Sequence, residues 1–329
     1  MKKLPPACSG HPALFGTTED TKGIVRCGLC PHRCRLAPGE LGLCRVRRNR
    51  AGTLVAETYR HPVAEHADPI SMLPFGWFLP GSSAYRVGTY GCNLACEFCL
   101  EDQLSRSSYP AGYDAPEIPP EDIVENALRF GCDAIAYAMN EPTIFIEYVM
   151  EIAAAARREG LKNVLVSNGY ILSRPRQMLY PLMDAVNISI KGFSEEFYSS
   201  ICGGHLQPVL DSCEYCRKND IHLEVTDLLI PRYNDSGKMI GGFLDWVAER
   251  LGRHSRALHR VPPGRRLHRP ANYSGLRDVR RERRNPARLH ARRNKHGDAG
   301  ARVPDAPDAR VRRRLTERHS LYFSPVRSL

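Results

Sequence analysis

The chain has 329 residues, enough to bury a full-sized core as one large domain with an appendage or as two modest domains. No apolar stretch follows its first residues and no window of about 18 apolar residues occurs, so neither secretion nor membrane spanning is expected and the anticipated setting is the cytoplasm. The net charge of +11 would point to a polyanionic partner, but residues 253 to 329 carry 21 Arg and one Lys against six acidic residues, whereas residues 1 to 252 carry 25 basic against 30 acidic, so the body is mildly acidic and nucleic acid is not its expected partner.

All twelve cysteines lie in that body, and a reducing compartment makes metal or redox work the better reading of clustered cysteines than a disulfide framework. Residues 1 to 60 form a Cys-rich module in which Cys27, Cys30, Cys34 and Cys44 read C-x2-C-x3-C-x9-C. Four soft ligands can close a tetrahedral site, with zinc the first expectation. Only the first knuckle is regular, so an auxiliary iron-sulfur cluster and a metal-free module remain open alternatives. Residues 61 to 84, with Asp68, Pro69, Pro74, Pro80 and Gly81, read as a linker.

From residue 85 to 252 short apolar runs alternate with amphipathic stretches. Arg86–Tyr90, Asp133–Met139, Asn163–Ser167, Ala185–Lys191 and His222–Ile230 read as strands. Glu121–Phe130, Phe145–Arg158 and Lys238–Arg250 place apolar residues at helical spacing, with Asn234, Asp235 or Ser236 available to cap the last. Strands apolar on both faces suit a parallel sheet covered by helices, and the class is α/β, an incomplete TIM-like barrel. Cys213 and Cys216 lie one turn apart in a helix and read as ordinary helix residues; Cys8, Cys132 and Cys202 are isolated and read as structural. Past Gly252 Leu, Ile, Val and Phe make 13 of 77 residues, too few for a core at that charge, so disorder is expected. A frameshifted product explains the aperiodic arginines better than a nucleic-acid arm, which would interleave stacking aromatics.

The chemistry concentrates in GTYGCNLACEFCLED, Gly88 to Asp102, where Cys92, Cys96 and Cys99 follow the first strand at C-x3-C-x2-C spacing. Three thiolates on a four-iron cubane leave one iron open to chelate a small molecule, and Phe98 can shield the cluster. This loop resembles that of the radical S-adenosylmethionine (SAM) superfamily. Together with CGLCPHRCRLAPGELGLCRVR, ADPISMLPFGWFLPGSS and MNEPTIFIEY, it resembles the AmmeMemoRadiSam-system radical SAM enzymes, beside the pyruvate formate-lyase activating enzymes. The resemblance implies a 4Fe-4S cluster on the three cysteines, SAM as cofactor and a reductant such as flavodoxin or ferredoxin. It also implies SAM-binding roles for Asn140 and Glu141 after the second strand, Asn168 and Gly169 after the third, and Ser189 and Lys191 at the end of the fourth. The substrate, protein or small molecule, and the residues that act on it stay open.

The chain departs from that pattern in three places. Ser189 stands where the usual motif has aspartate, and Leu100 and Glu101 replace Gln-Asn. After Gly252, RHSRALHRVPPG offers nothing comparable to the expected sixth strand, which would leave the fifth strand's edge bare. Two other classes therefore stand beside the enzyme: a non-catalytic metal-binding remnant, and an electron-transfer protein, which would need a fourth cluster ligand not evident near 92 to 99.

Overall fold

The computed structural model describes residues 10–19, 22–110 and 116–252, and the backbone of 258–260. Six short strands build the beginning of the chain: β1 (His11–Pro12), β2 (Gly16–Thr18), β3 (Val25–Cys27), β4 (Arg35–Leu36), β5 (Arg47–Arg50) and β6 (Thr53–Ala56). They form two antiparallel three-stranded sheets, ordered β1-β6-β5 and β2-β3-β4. Asn49, fully buried, stitches the module by donating from Nδ2 to the carbonyls of Gly23 and Leu36 at 2.7 and 2.8 Å.

The rest winds around one seven-stranded mixed sheet of β7 (Ala64–Pro69), β8 (Ser83–Gly88), β9 (Ala134–Tyr137), β10 (Lys162–Ser167), β11 (Ala185–Ile190), β12 (His222–Leu229) and β13 (Leu258–Arg260), in that spatial order. β7 runs antiparallel to β8, and every later pair is parallel. The connections carry α1 (Asp102–Ser105), α2 (Pro120–Arg129), α3 (Ile146–Arg158), α4 (Ser173–Leu179), α5 (Glu195–Phe197), α6 (Gln207–Lys218) and α7 (Gly237–Trp246). The α/β class is borne out, and the five strands from β8 to β12 fall within three residues of their expected bounds. Ser236 is the cap of α7, its Oγ accepting from the Met239 amide at 3.3 Å. Among the described residues no helix is long and apolar enough to cross a membrane.

The sheet separates two cores, as period-two alternation requires. Ile135, Tyr137, Leu165, Val186 and Ile188 pack under the helices in the larger cluster. Ala84, Ala134, Ala136, Val164 and Ala185 face the other way, against Ile70, Leu73 and Phe75. Residues 61 to 84 are therefore no mere linker: they supply edge strand β7 and then plug the inner face of the sheet. Glu224, 1% exposed on β12, holds that plug by accepting the amides of Gly76, Trp77 and Phe78 at 2.7, 3.1 and 3.1 Å. The linker reading failed because its prolines and glycines mark irregular backbone without revealing what that backbone packs against.

The missing sixth strand also needs correction. β13 pairs in parallel with β12, Leu258 to Asp227 through Arg260 to Leu229. It spans three residues whose sequence, Leu-His-Arg, carries no strand periodicity. Backbone pairing at a free edge needs no side-chain pattern, so periodicity could not reveal it. Apart from β13, the expectations for residues 253 to 329 lie outside the described residues.

Candidate functional site

β8 ends at Gly88 and releases the loop of Cys92, Cys96 and Cys99; Cys96 is buried and the other two are half-buried. The loop is held by the next strand along. Asn140, beyond β9, accepts the Thr89 amide at 2.8 Å on Oδ1, while its Nδ2 donates to Thr89 Oγ1 and to the carbonyls of Tyr90 and Gly91 at 3.0–3.1 Å. Its side-chain amide thus holds the loop backbone in place. Gly91 has φ +86°, and a Cβ there would stand 2.3 Å from the Cys44 carbonyl oxygen, so only glycine lets the Cys-rich module approach this closely.

Glu141, 3% exposed, ties β9 to β10: Oε1 accepts the Thr143 amide and Ser167 Oγ at 2.9 and 2.8 Å, and Oε2 accepts the Asn168 amide at 2.8 Å. A carboxylate offers about four lone-pair positions; these bonds use three and leave one on Oε2. Asn168 Nδ2 donates to Asn93 Oδ1 at 2.8 Å and lies 3.6 Å from Cys92 Sγ. Gly169 follows with φ +69°, its carbonyl accepting Ser212 Oγ at 2.7 Å. Ser167 and Asn93 were missed by sequence reasoning, because neither belongs to a motif that differs from ordinary strand-end polarity.

At the end of β11, Ser189 lies half-buried in register with Thr226 of β12. Lys191 is fixed through its backbone, its amide donating to Tyr198 Oη at 3.0 Å and its carbonyl accepting Asn234 Nδ2 at 2.9 Å. Its ammonium acts on Cys96 and Cys99 and on Asp227 of β12. Asp227, another residue not anticipated, is 2% exposed, and burial lifts its carboxyl to about 7 against the partial opposition of Lys191. The strand ends thus bring Asn140 and Asn168 onto the three-cysteine loop, with Glu141 bonded to the Asn168 amide; among the described residues, Ser189 makes no hydrogen bond to that loop.

The thiols themselves are pushed up, Cys92 and Cys96 the most. For Cys96 the largest cause is a hydrogen bond to Cys202, then burial; for Cys92 it is burial and then the Glu141 charge. Cys99 is raised mainly by burial. Neutral thiols are the expected state of a metal-free soft site, since ligation itself drives off the proton. Among the described residues no three His, Cys, Asp or Glu side chains converge on one point as ligands of a single ion. A cubane asks instead for thiolates spread around its outside, and three thiols on one loop fit that demand. Phe98, 8% exposed, sits tilted against Phe197 with ring centroids 6.0 Å apart.

Cys27, Cys30, Cys34 and Cys44 line one cavity with Leu29, His32, Gly42 and Arg47, without converging as ligands of a single ion. Burial is the main cause that raises Cys30 and Cys44. Arg47, 1% exposed, brings a positive charge beside Cys27 and Cys44 while pairing with Glu147 at 2.6 Å. This module touches the other loop directly, with His32 Nε2 2.7 Å from the Asn93 carbonyl oxygen. Cys213 and Cys216 are fully buried in α6, as ordinary helix residues would be.

The sequence profile of the radical SAM superfamily matches residues 87–246, the span from β8 to the end of α7. An uncharacterized protein of Methanocaldococcus jannaschii is 36% identical over 242 residues, 74% of this chain and 71% of that protein. A second protein of that organism, named a putative glycyl-radical enzyme activating enzyme, is 30% identical over 152 residues, 45% of this chain and 56% of its own length. Among solved structures, SuiB of Streptococcus suis bound to S-adenosylmethionine covers 61% of this chain and 45% of its own, at 15% identity and a TM-score of 0.43. The chain therefore spans less than two thirds of the activating enzyme and of SuiB. With the three-cysteine loop, the extent of the profile match and the first of these relatives in hand, the chain is a member of the radical SAM superfamily.

Proposed function

We propose that the chain is a radical SAM enzyme of activating-enzyme type, holding a 4Fe-4S cluster on Cys92, Cys96 and Cys99 within an incomplete barrel built from β8 to β13. The observation that carries this reading is the convergence of hydrogen-bonded strand-end groups on that loop: Asn140 on its backbone, Asn168 on Asn93 and beside Cys92, and Glu141 behind Asn168. Cys92, Cys96 and Cys99 would hold the cluster, which when bound and reduced would supply the electron for reductive cleavage of SAM.

The chain's own residues would bind, orient and shield. Asn140 fixes the loop, so its role is positioning. Glu141 offers its remaining lone pair to the methionine ammonium, a charge-assisted bond. Lys191 presents a cation near the carboxylate or ribose, and Phe98 with Phe197 keeps water from one side of the loop. Glycyl-radical activation is the favoured hydrogen-abstraction role, since a relative carries the activating-enzyme name; a flavodoxin or ferredoxin would deliver the electron. The four N-terminal cysteines would hold zinc or an auxiliary cluster, with Arg47 offsetting thiolate charge. The non-catalytic remnant loses its main support now that β13 occupies the sixth strand position.

Anaerobic reconstitution followed by electron paramagnetic resonance of the reduced protein, with and without SAM, tests the reading, with Cys96→Ala as control. A cluster signal that moves on adding SAM, and disappears in the control, is the expected outcome. A loaded cluster whose signal ignores SAM would remove the cofactor assignment.

A further inference from the structure

The Asn168–Gly169 turn is held from the helical layer as well as from the sheet. Gly169 and Tyr170 share one peptide plane, and both of its polar groups are bonded: the Tyr170 amide donates to Asn168 Oδ1 at 2.8 Å, and the Gly169 carbonyl accepts Ser212 Oγ of α6 at 2.7 Å and the Ile171 amide at 3.0 Å. Because an N–H only donates, the Tyr170 amide fixes which way the Asn168 side chain faces. Oδ1 is taken, and Nδ2 is left to donate to Asn93 Oδ1 at 2.8 Å on the three-cysteine loop. Asn93 returns the contact, donating from Nδ2 to the Tyr170 carbonyl at 2.7 Å.

We propose that Ser212 is a positioning residue for the SAM site, its hydroxyl, backed by Arg176, setting the peptide plane that orients Asn168 against the three-cysteine loop. The inference rests on the reading of Asn168 and Gly169 as SAM-binding residues. Ser212 is fully buried in α6, and a serine within a helix commonly gives its single hydrogen to the carbonyl four residues back. That acceptor, the Pro208 carbonyl, lies 3.0 Å away, but the Gly169 carbonyl is nearer. Arg176 of α4, 8% exposed, donates from Nη1 to Ser212 Oγ at 3.1 Å. A guanidinium has no acceptor to offer, so it takes a lone pair of the hydroxyl and leaves the hydrogen for a carbonyl. A charged donor on one side of a hydroxyl also strengthens the bond given on the other. The guanidinium is itself seated over the Tyr215 ring, one turn along α6, at 5.3 Å. Gly169, at φ +69°, has the backbone freedom that makes such an external restraint effective.

The test compares wild type, Ser212→Ala, Arg176→Met and Leu210→Ala, the last truncating a buried apolar side chain of the same helix without removing a hydrogen bond. Amide hydrogen exchange in the metal-free chain, followed by nuclear magnetic resonance with isotope-labelled tyrosine, reads Tyr170 against Tyr137, an amide of β9 that reports opening of the sheet. The Tyr170 to Tyr137 ratio should rise roughly two- to tenfold in Ser212→Ala, the worth of one net hydrogen bond, and in the same direction in Arg176→Met. It should stay near wild type in Leu210→Ala. An unchanged ratio in Ser212→Ala overturns the proposal, and so does an equal rise in Leu210→Ala, which would mark loosening of the helix. A rise in Ser212→Ala with none in Arg176→Met overturns the part given to Arg176.

A second arm titrates SAM calorimetrically into the anaerobically reconstituted proteins. At equal iron content Ser212→Ala should bind SAM roughly two- to tenfold more weakly than wild type. Equal affinity in a variant whose Tyr170 exchange has quickened overturns the role of Ser212 at the SAM site and leaves the functional reading intact. A loaded wild type that binds no SAM overturns the functional reading, and with it the role assigned to Ser212 there, while the exchange result stands as a property of the turn.

Discussion

Asp227 shows what burial does to one carboxyl. With its folded value raised from 3.8 to about 7, the native state holds a proton that the unfolded chain has already released. Between about pH 4 and pH 7 the folded state therefore binds more protons, so this residue's contribution to stability falls as pH rises through that window and stays low above it. Asp227→Asn removes the charge at nearly constant volume. Urea unfolding of the metal-free protein should show the variant more stable by about 2–4 kcal/mol near pH 8 and little different near pH 4. An advantage that does not grow with pH would mean the carboxyl ionises as freely in the fold as in the open chain. Nothing in HLEVTDLLIP distinguishes Asp227 from a strand-end surface charge, because its burial is made by Asn234 and by the neighbouring Lys191, 36 residues away in sequence.

At the scale of elements, the cluster loop is a connection gripped from three sides. β9 grips it through Asn140, β10 through Asn168, and the Cys-rich module through His32 and the close pass of Cys44 over Gly91. Gly91→Ala violates both the positive φ and the 2.3 Å clearance. The left-handed backbone alone costs roughly 1–3 kcal/mol, and the clash with a backbone carbonyl adds to it. The variant should stay folded by circular dichroism but load clearly less iron at the three-cysteine loop, an effect that Gly39→Ala, with open space around its Cβ, should not reproduce. Full loading in Gly91→Ala would show that the module does not constrain the loop. The loop's cysteines and the strand-end positions of Glu141, Asn168 and Lys191 were legible in the sequence, since spacing and strand periodicity are local. The grip was not, because Asn140 and Asn93 act by hydrogen bonds to backbone whose position depends on neighbouring strands.

Across the whole molecule, the Cys-rich module and the sheet are joined by a buried ion pair. Arg47 of β5 and Glu147 of α3 meet at 2.6 Å with side chains 1% and 3% exposed, and Glu147 also accepts the Leu14 amide at 2.8 Å. Removing one partner strands a buried charge, so Glu147→Ala should lower stability by about 3–5 kcal/mol, whereas the double replacement Arg47→Met, Glu147→Leu should lose much less. Denaturant unfolding of the metal-free chains reads both; equal losses would show that the pair itself, not an orphaned charge, is the contribution. The sequence by itself determined the α/β class, the order of five strands and the three-cysteine loop, because each is written in local spacing and hydrophobic period. Only the tertiary structure decided that residues 61 to 84 form an edge strand and a plug, that β13 extends the parallel row, and that the Cys202 carbonyl takes the Ala95 amide of the three-cysteine loop. Those features depend on backbone pairing at a free edge and on contacts between segments distant in sequence, which carry no local signature.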